Sequence, residues 1–220
     1  MDLADRIQRG LSYLLSFVIL AASVGAFFEG QWLNAFLAAL AFVLSYVPSA
    51  IEKNLKIGLP IEFEFTFVVF LFVTIYLGDI NAYYTYFWWW DIFLHTLSGV
   101  LLGLVGFILV YIFHSEEKIR LRLSPFFVGL FTFVFAVSIG VFWEIFEFGL
   151  DQLFGLDTQH GSLEDTMLDL IVDALGALFI SVIAYFYMKK VRFPVFDRII
   201  TRFLEKNPRM FRRWRKPKQT

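Results

Sequence analysis

The stretch Thr166-Met-Leu-Asp-Leu-Ile-Val-Asp-Ala-Leu-Gly-Ala-Leu-Phe-Ile-Ser-Val-Ile-Ala-Tyr-Phe-Tyr-Met188 decides the fold. It is long enough for one membrane crossing, since a hydrocarbon core about 30 Å thick takes roughly 20 apolar helical residues. Two acids, Asp169 and Asp173, interrupt it near its start, one helical turn apart. Lys189, Lys190 and Arg192 follow it directly. An acidic end, an apolar body and a basic end are therefore written into one segment.

Five more runs of the same kind lie upstream. They are Leu11–Phe28, Trp32–Ala50, Phe63–Leu77, Asp91–Phe113 and Pro125–Leu150. The third is the shortest and opens with Glu62 and Glu64. Arg6 and Arg9 precede the first, as in a secretory signal, but its ~18 residues exceed the ~7–15 of a signal h-region. A retained helix is predicted. Composition agrees with lipid as the solvent: 59% of residues are hydrophobic and only 18% charged, with a mean hydropathy of +0.68, against about 25% charged in soluble domains. The chain has no cysteine, which removes disulfides, thiolate metal sites and cysteine nucleophiles. The expected fold is an all-α, polytopic membrane bundle of six transmembrane helices over residues 1–190. A basic tail over 191–220 completes it.

The net charge of −1 hides a strong segregation of sign. Arg6 and Arg9 precede the first helix, and Lys53 and Lys56 lie between the second and third. Lys118, Arg120 and Arg122 lie between the fourth and fifth, and the remaining Lys and Arg residues follow the sixth. The alternate connections, around Glu29–Gly30, Gly78–Trp90 and Asp151–Asp165, carry none. The positive-inside rule then puts both termini in the cytoplasm. Trp32, Trp88, Trp89, Trp90 and Trp143, with Tyr83, Tyr84 and Tyr86, fall near the outer interface as an aromatic belt; a platform for a lipid substrate is the alternative reading. In the tail, Phe196, Ile199, Ile200, Phe203 and Leu204 share one face of a short helix. Such a cytoplasmic amphipathic, basic helix is expected to meet the anionic lipids of the inner leaflet. No nucleic-acid partner is needed to explain the charge.

Ionisable residues inside a membrane are functional candidates by default, because burying them is costly. Asp91 and His95 share a face at the start of the fourth helix. Glu144, Glu147 and Asp151 share one at the end of the fifth, and Asp165, Asp169 and Asp173 one at the start of the sixth. By the topology above, all eight lie at one depth, in the outer third of the membrane or just above it. Each polar face continues as small residues: Gly99 and Gly103; Gly140, Ala136 and Thr132; Ala177 and Ser181. Such stripes let membrane helices approach closely, so the fourth, fifth and sixth helices are expected to pack beneath a polar cup.

Seven carboxylates and one histidine share that cup, without Lys or Arg. Two like charges ~6 Å apart repel by roughly 3 kcal/mol at an effective dielectric of ~20. Either several acids are protonated or cations bind; a solvated acidic rim is the plain alternative, and it suits Asp157 and Glu164 better than Asp169 and Asp173. Oxygen ligands with one imidazole fit a divalent metal ion: Mn, Mg, Fe, Zn or Ca. Asp91, His95, Glu144, Glu147, Asp151, Asp165, Asp169 and Asp173 are the candidate ligands. Asp91, His95 and Glu144 are the candidate catalytic groups. His160, in the loop before the sixth helix, is a candidate lid ligand or simply exposed. His114 reads as interfacial, beside Glu116 and Glu117. Glu52, Glu62 and Glu64 form a smaller inner acidic set with Lys53 and Lys56 as expected partners.

Trp90-Asp-Ile-Phe-Leu-His-Thr-Leu-Ser-Gly99 resembles the YjdF-like inner-membrane proteins of bacteria and archaea. So do Trp143-Glu-Ile-Phe-Glu147, Leu77-Gly-Asp79 and the segment from Gln159 through Asp165–Asp173 to Gly176. The resemblance covers the third to sixth helices; a more distant likeness is to VanZ-type membrane proteins. It implies the membrane topology and these site residues, and it implies no activity. Three functions fit the residues: a metal-dependent hydrolase or transferase acting on a lipid or other membrane-associated substrate, a divalent-cation or proton-coupled transporter, and a non-catalytic sensor or assembly factor.

Overall fold

Helices form wherever the apolar runs predicted them. The computed structural model describes residues 3–115, 123–155, 158–159 and 162–208, with side chains of 113–115 excepted. The side chain of His114, and Glu116, Glu117, Lys118, Arg120, Arg122, Asp157, His160 and residues 209–220, lie outside the described residues. The helices are α1 (Leu3–Phe28), α2 (Trp32–Leu44), α3 (Val47–Leu55), α4 (Ile61–Leu71), α5 (Tyr83–Tyr86), α6 (Trp90–Ser115), α7 (Pro125–Phe154), α8 (Leu163–Met188) and α9 (Pro194–Lys206). Among the described residues there is no strand. Six segments are long and apolar enough to cross a membrane: Leu3–Phe28, Trp32–Leu55, Ile61–Ile80, Trp90–Ile112, Pro125–Phe154 and Leu163–Met188. Many large apolar side chains, among them Phe17, Phe36, Phe142 and Phe179, remain exposed along these spans, as a lipid solvent requires.

Two spans differ from the continuous helices expected of them. The second is broken between α2 and α3, where Ser45 and Tyr46 form a turn. Pro48 is the physical reason: it has no N–H for the carbonyl of Leu44, and its ring would collide with that carbonyl in an unbroken helix. The third span is longer than expected. Beyond α4 it continues as a π-helix over Phe72–Ile80, so the short Phe63–Leu77 run is part of a 20-residue span. Gly78 faces the ring of Tyr84, and a Cβ at that position would overlap the ring.

The chain divides into two compact units. The first comprises the helices up to Trp88 and resumes at Arg198; the second runs from Trp89 to Asp197. In the first, Ile19 packs against Ala38 and Ala41, with Phe42, Phe72, Ile75, Tyr76 and Ile80 around them. Ser23 donates to the carbonyl of Ala35 at 2.8 Å, tying α1 to α2. The α9 side chains in this unit anchor it to the helix starts. Arg202 bridges Asp5 (3.3 Å) and Glu62. Asn207 exchanges two hydrogen bonds with the backbone of Gly58, at 2.7 and 2.8 Å. Glu52 accepts from the backbone N–H of Leu59 at 2.6 Å. Lys53 and Lys56, the partners expected for the inner acids, take neither role.

In the second unit α6, α7 and α8 pack along the small residues named from the sequence. Gly99 lies against the backbone of Asp173, and Gly176 against that of Thr96, so closely that a Cβ on either would overlap it. Ser181 donates to the carbonyl of Gly129 at 2.8 Å, and Thr132, Ala136 and Ala177 are buried. Two details depart from expectation. Trp90 is buried rather than part of an interfacial belt, whereas Trp32 and Trp88 are well exposed. The apolar face of α9 is also largely spent on protein. Phe196, Ile200 and Phe203 are buried, and the Phe196 ring packs on Phe107 with centroids 5.4 Å apart.

Candidate metal centre

The candidate ligands come from the ends of the three tightly packed helices. Each helix reaches the site for a local reason. Ser162 caps α8, accepting from the backbone N–H groups of Glu164 (3.1 Å) and Asp165 (3.3 Å); this starts the helix about two turns before Asp169. Pro125 follows the cap Ser124 at the other end of α7 and pre-sets the first turn. Glu144 then lies about 28 Å along the axis, at 1.5 Å per residue. Gly155, in the left-handed region at φ 66°, ends α7 just beyond Asp151.

Five of the eight expected ligands converge. Asp91, His95 and Asp169 form one group and His95, Glu144 and Glu147 a second; within each, one ligand atom per residue lies within 4.8 Å of the others. His95 belongs to both. The four groups at the centre are almost fully buried: Glu144 is 4% exposed, Asp169 4%, Asp173 3% and His95 8%. Asp91, with a side chain 27% exposed, and Glu147 are only partly buried.

Asp173 takes a different place from the one expected of a ligand. Its Oδ2 lies 3.3 Å from His95 Nδ1, and its Oδ1 accepts from the Ser98 hydroxyl at 2.6 Å. An Nδ1–H donated to this carboxylate would fix the His95 ring and leave Nε2 its lone pair; Nε2 lies 3.7 Å from Asp91 Oδ1. Gly140 makes room for this carboxylate, because a Cβ there would sit 2.6 Å from Asp173 Oδ2. Asp173 thus lies behind the imidazole and contacts it directly. The stripe from Asp169 through Asp173 found it, but the i, i+4 spacing alone does not separate a ligand from the group that aims one.

Asp151 and Asp165 stand outside both groups. The carboxylate of Asp151 accepts from the Thr158 N–H (2.8 Å), the Thr158 hydroxyl (2.7 Å) and the Gln159 N–H (3.1 Å). It pins the loop between α7 and α8. Asp165 lies in the first turn of α8. Sequence reading had passed over Gln159 and Ser98. Gln159 Nε2 donates to Glu144 Oε2 at 3.3 Å and to the Glu144 carbonyl at 3.2 Å. The other carboxylate oxygen of Glu144, Oε1, is buried and has no hydrogen-bond partner among the described residues. Neutral amide and hydroxyl side chains carry little signal in a sequence, so only the tertiary contacts reveal these two.

The residues fit a divalent cation by their chemistry. Four carboxylates and one imidazole converge, with a fifth carboxylate behind the ring. Two like charges at 4.8 Å repel by about 3.5 kcal/mol at an effective dielectric of ~20. A hard or borderline ion would offset that repulsion and would give Glu144 Oε1 a partner.

Comparison with known proteins agrees with the helix motifs. An uncharacterized protein of Thermotoga maritima is 30% identical over 143 residues, covering 64% of this chain and 70% of its own length. No solved structure matches. The model of a family described as "Predicted membrane protein (DUF2238)" matches residues 9–190. That span holds every candidate ligand, and it bears out the resemblance to a membrane-protein family that implies no activity. The chain belongs to the DUF2238 family of membrane proteins.

Proposed function

We propose that this protein is a metal-dependent membrane enzyme, a hydrolase or transferase acting on a lipid or other membrane-associated substrate. Its centre lies toward the outer face of a prokaryotic plasma membrane, with both termini in the cytoplasm. The observation that carries the reading is Glu144. A carboxylate 4% exposed, with one oxygen lacking a hydrogen-bond partner among the described residues, costs several kcal/mol unless a cation or a proton completes it. Its neighbours His95 and Glu147 are spaced to share that cation.

Asp91, His95, Glu144, Glu147 and Asp169 hold the ion, and Asp173 aims His95. A divalent ion there would activate a water molecule and polarise a phosphoryl or acyl oxygen. Asp91, a partly exposed carboxylate, takes the proton from the attacking group and returns it to the leaving group. The segregation of Lys and Arg supports the orientation, and the basic residues from Lys189 onward meet the anionic inner leaflet.

Elemental analysis of the detergent-purified protein tests this. Stoichiometric divalent metal is expected in the wild type and is lost in Glu144→Gln and Asp169→Asn. A metal-free wild type whose melting temperature ignores chelator would overturn the proposal. One observation favours a second reading, cation transport: the second span is broken at Ser45–Tyr46, as spans in transporters often are. Metal uptake into proteoliposomes that stops in Asp169→Asn would put transport first.

A further inference from the structure

The first unit holds a polar cavity that the metal centre does not explain. It measures about 180 Å³ and is lined by Ser12 and Ser16 of α1, Ser45 and Ser49 at the break in the second span, and Glu64 of α4. Exposed Tyr13 and Tyr46 also line it. Three spans therefore turn hydroxyl groups and one carboxylate toward a common space.

The hydrogen bonds determine what that space offers. A serine hydroxyl has one proton and two lone pairs. Ser12 donates to the carbonyl of Gln8 at 3.1 Å. Ser16 donates to Ser45 Oγ at 3.2 Å, and Ser45 to the carbonyl of Phe42 at 2.7 Å. All three are buried and have spent their protons, so they present lone pairs. Among the described residues, Glu64 has no hydrogen-bond or ion-pair partner. Arg202 is committed to Asp5 and Glu62, and Lys206 donates to the carbonyl of Leu59 at 2.6 Å.

We infer that this cavity binds a monovalent cation of the sodium class, held by Glu64 and the Ser12, Ser16 and Ser45 hydroxyl oxygens. The donors are hard oxygens, which suit an alkali ion. The charge is one: a single carboxylate is balanced by one positive charge, whereas a divalent ion would leave a net charge in a low-dielectric site. The volume exceeds that of a bare ion. Since a water takes about 30 Å³, the ion keeps several waters. Broken membrane spans are a known setting for alkali-ion sites, and Ser45 and Ser49 bring the interrupted second span to this cavity. This site is separate from the metal centre, and its occupancy does not depend on that reading.

The test measures 22Na+ binding and thermal stability of the full-length protein in detergent. NaCl is compared with N-methyl-D-glucamine chloride at constant ionic strength, which removes general screening. Saturable binding of one Na+ and a melting temperature that rises with Na+ are expected. Glu64→Gln should weaken binding at least tenfold, and Ser45→Ala severalfold. Asp169→Asn, which alters only the metal centre, should leave Na+ binding unchanged. Glu64→Asp, with the charge kept on a shorter arm, should bind more weakly than wild type but still prefer Na+; this reads the site even where the Gln variant is poorly folded. Equal stability in the two salts, no saturable 22Na+, or wild-type affinity in both Glu64 variants would overturn the inference.

Discussion

Gly140 shows how much one missing methyl group can decide. Its Cα faces the Asp173 carboxylate, which in turn holds His95. Gly140→Ala is expected to push that carboxylate aside. It should cost about 1–3 kcal/mol of stability by overpacking and lower metal affinity roughly 10–100-fold through the misaimed imidazole. Gly149, on the same helix, has open space where a Cβ would be, and Gly149→Ala should change neither property. Metal titration and thermal melts of the pair check this. Equal metal affinity in the two variants would show that Asp173 does not govern His95. At this scale the sequence put Asp91, His95, Glu144, Glu147 and Asp169 on three helix faces, and the structure gathers them in two groups that share His95. It could not rank them against Asp151, because all are acids on the same stripes. Only the contacts separate the loop-pinning carboxylate from the others.

The helix ends carry the site, so capping matters more than usual. Ser162 satisfies two N–H groups at the start of α8; Ser162→Ala should cost about 1 kcal/mol, read as a lower melting temperature. Asp151→Ala removes the acceptor for Thr158 and Gln159. It should raise proteolysis near Gln159 while leaving the metal content intact. Loss of metal in that variant would return Asp151 to the ligands. The element scale is also where periodicity alone misled. A hydrophobic run marks a span but is blind to a local change of helix type. The break at Ser45–Tyr46 was signalled by Pro48. The π-helical Phe72–Ile80 carries no such mark, since its wider turn is set by what packs around it.

For the whole molecule, orientation is the decisive property. The chain has no cysteine, so single cysteines report sidedness without background. In intact cells Gln152→Cys, just beyond the Glu144–Glu147 turn, should react with a membrane-impermeant maleimide. Glu205→Cys on α9 should react only after permeabilisation. The reverse pattern would invert the topology and move the metal centre to the cytoplasmic side. The sequence by itself determined the number of spans, the packing of the fourth, fifth and sixth helices and the depth shared by the acids. Those properties depend on local quantities: run length against bilayer thickness, side-chain size along one helix face, and position along a helix of fixed rise. The tertiary structure decided which carboxylates meet His95, which one aims it, where α9 spends its apolar face, and that Glu64 opens on a cavity instead of pairing with Lys53 or Lys56. Each of these depends on distances between segments far apart in the chain, and helical spacing fixes a face but not the neighbour it meets.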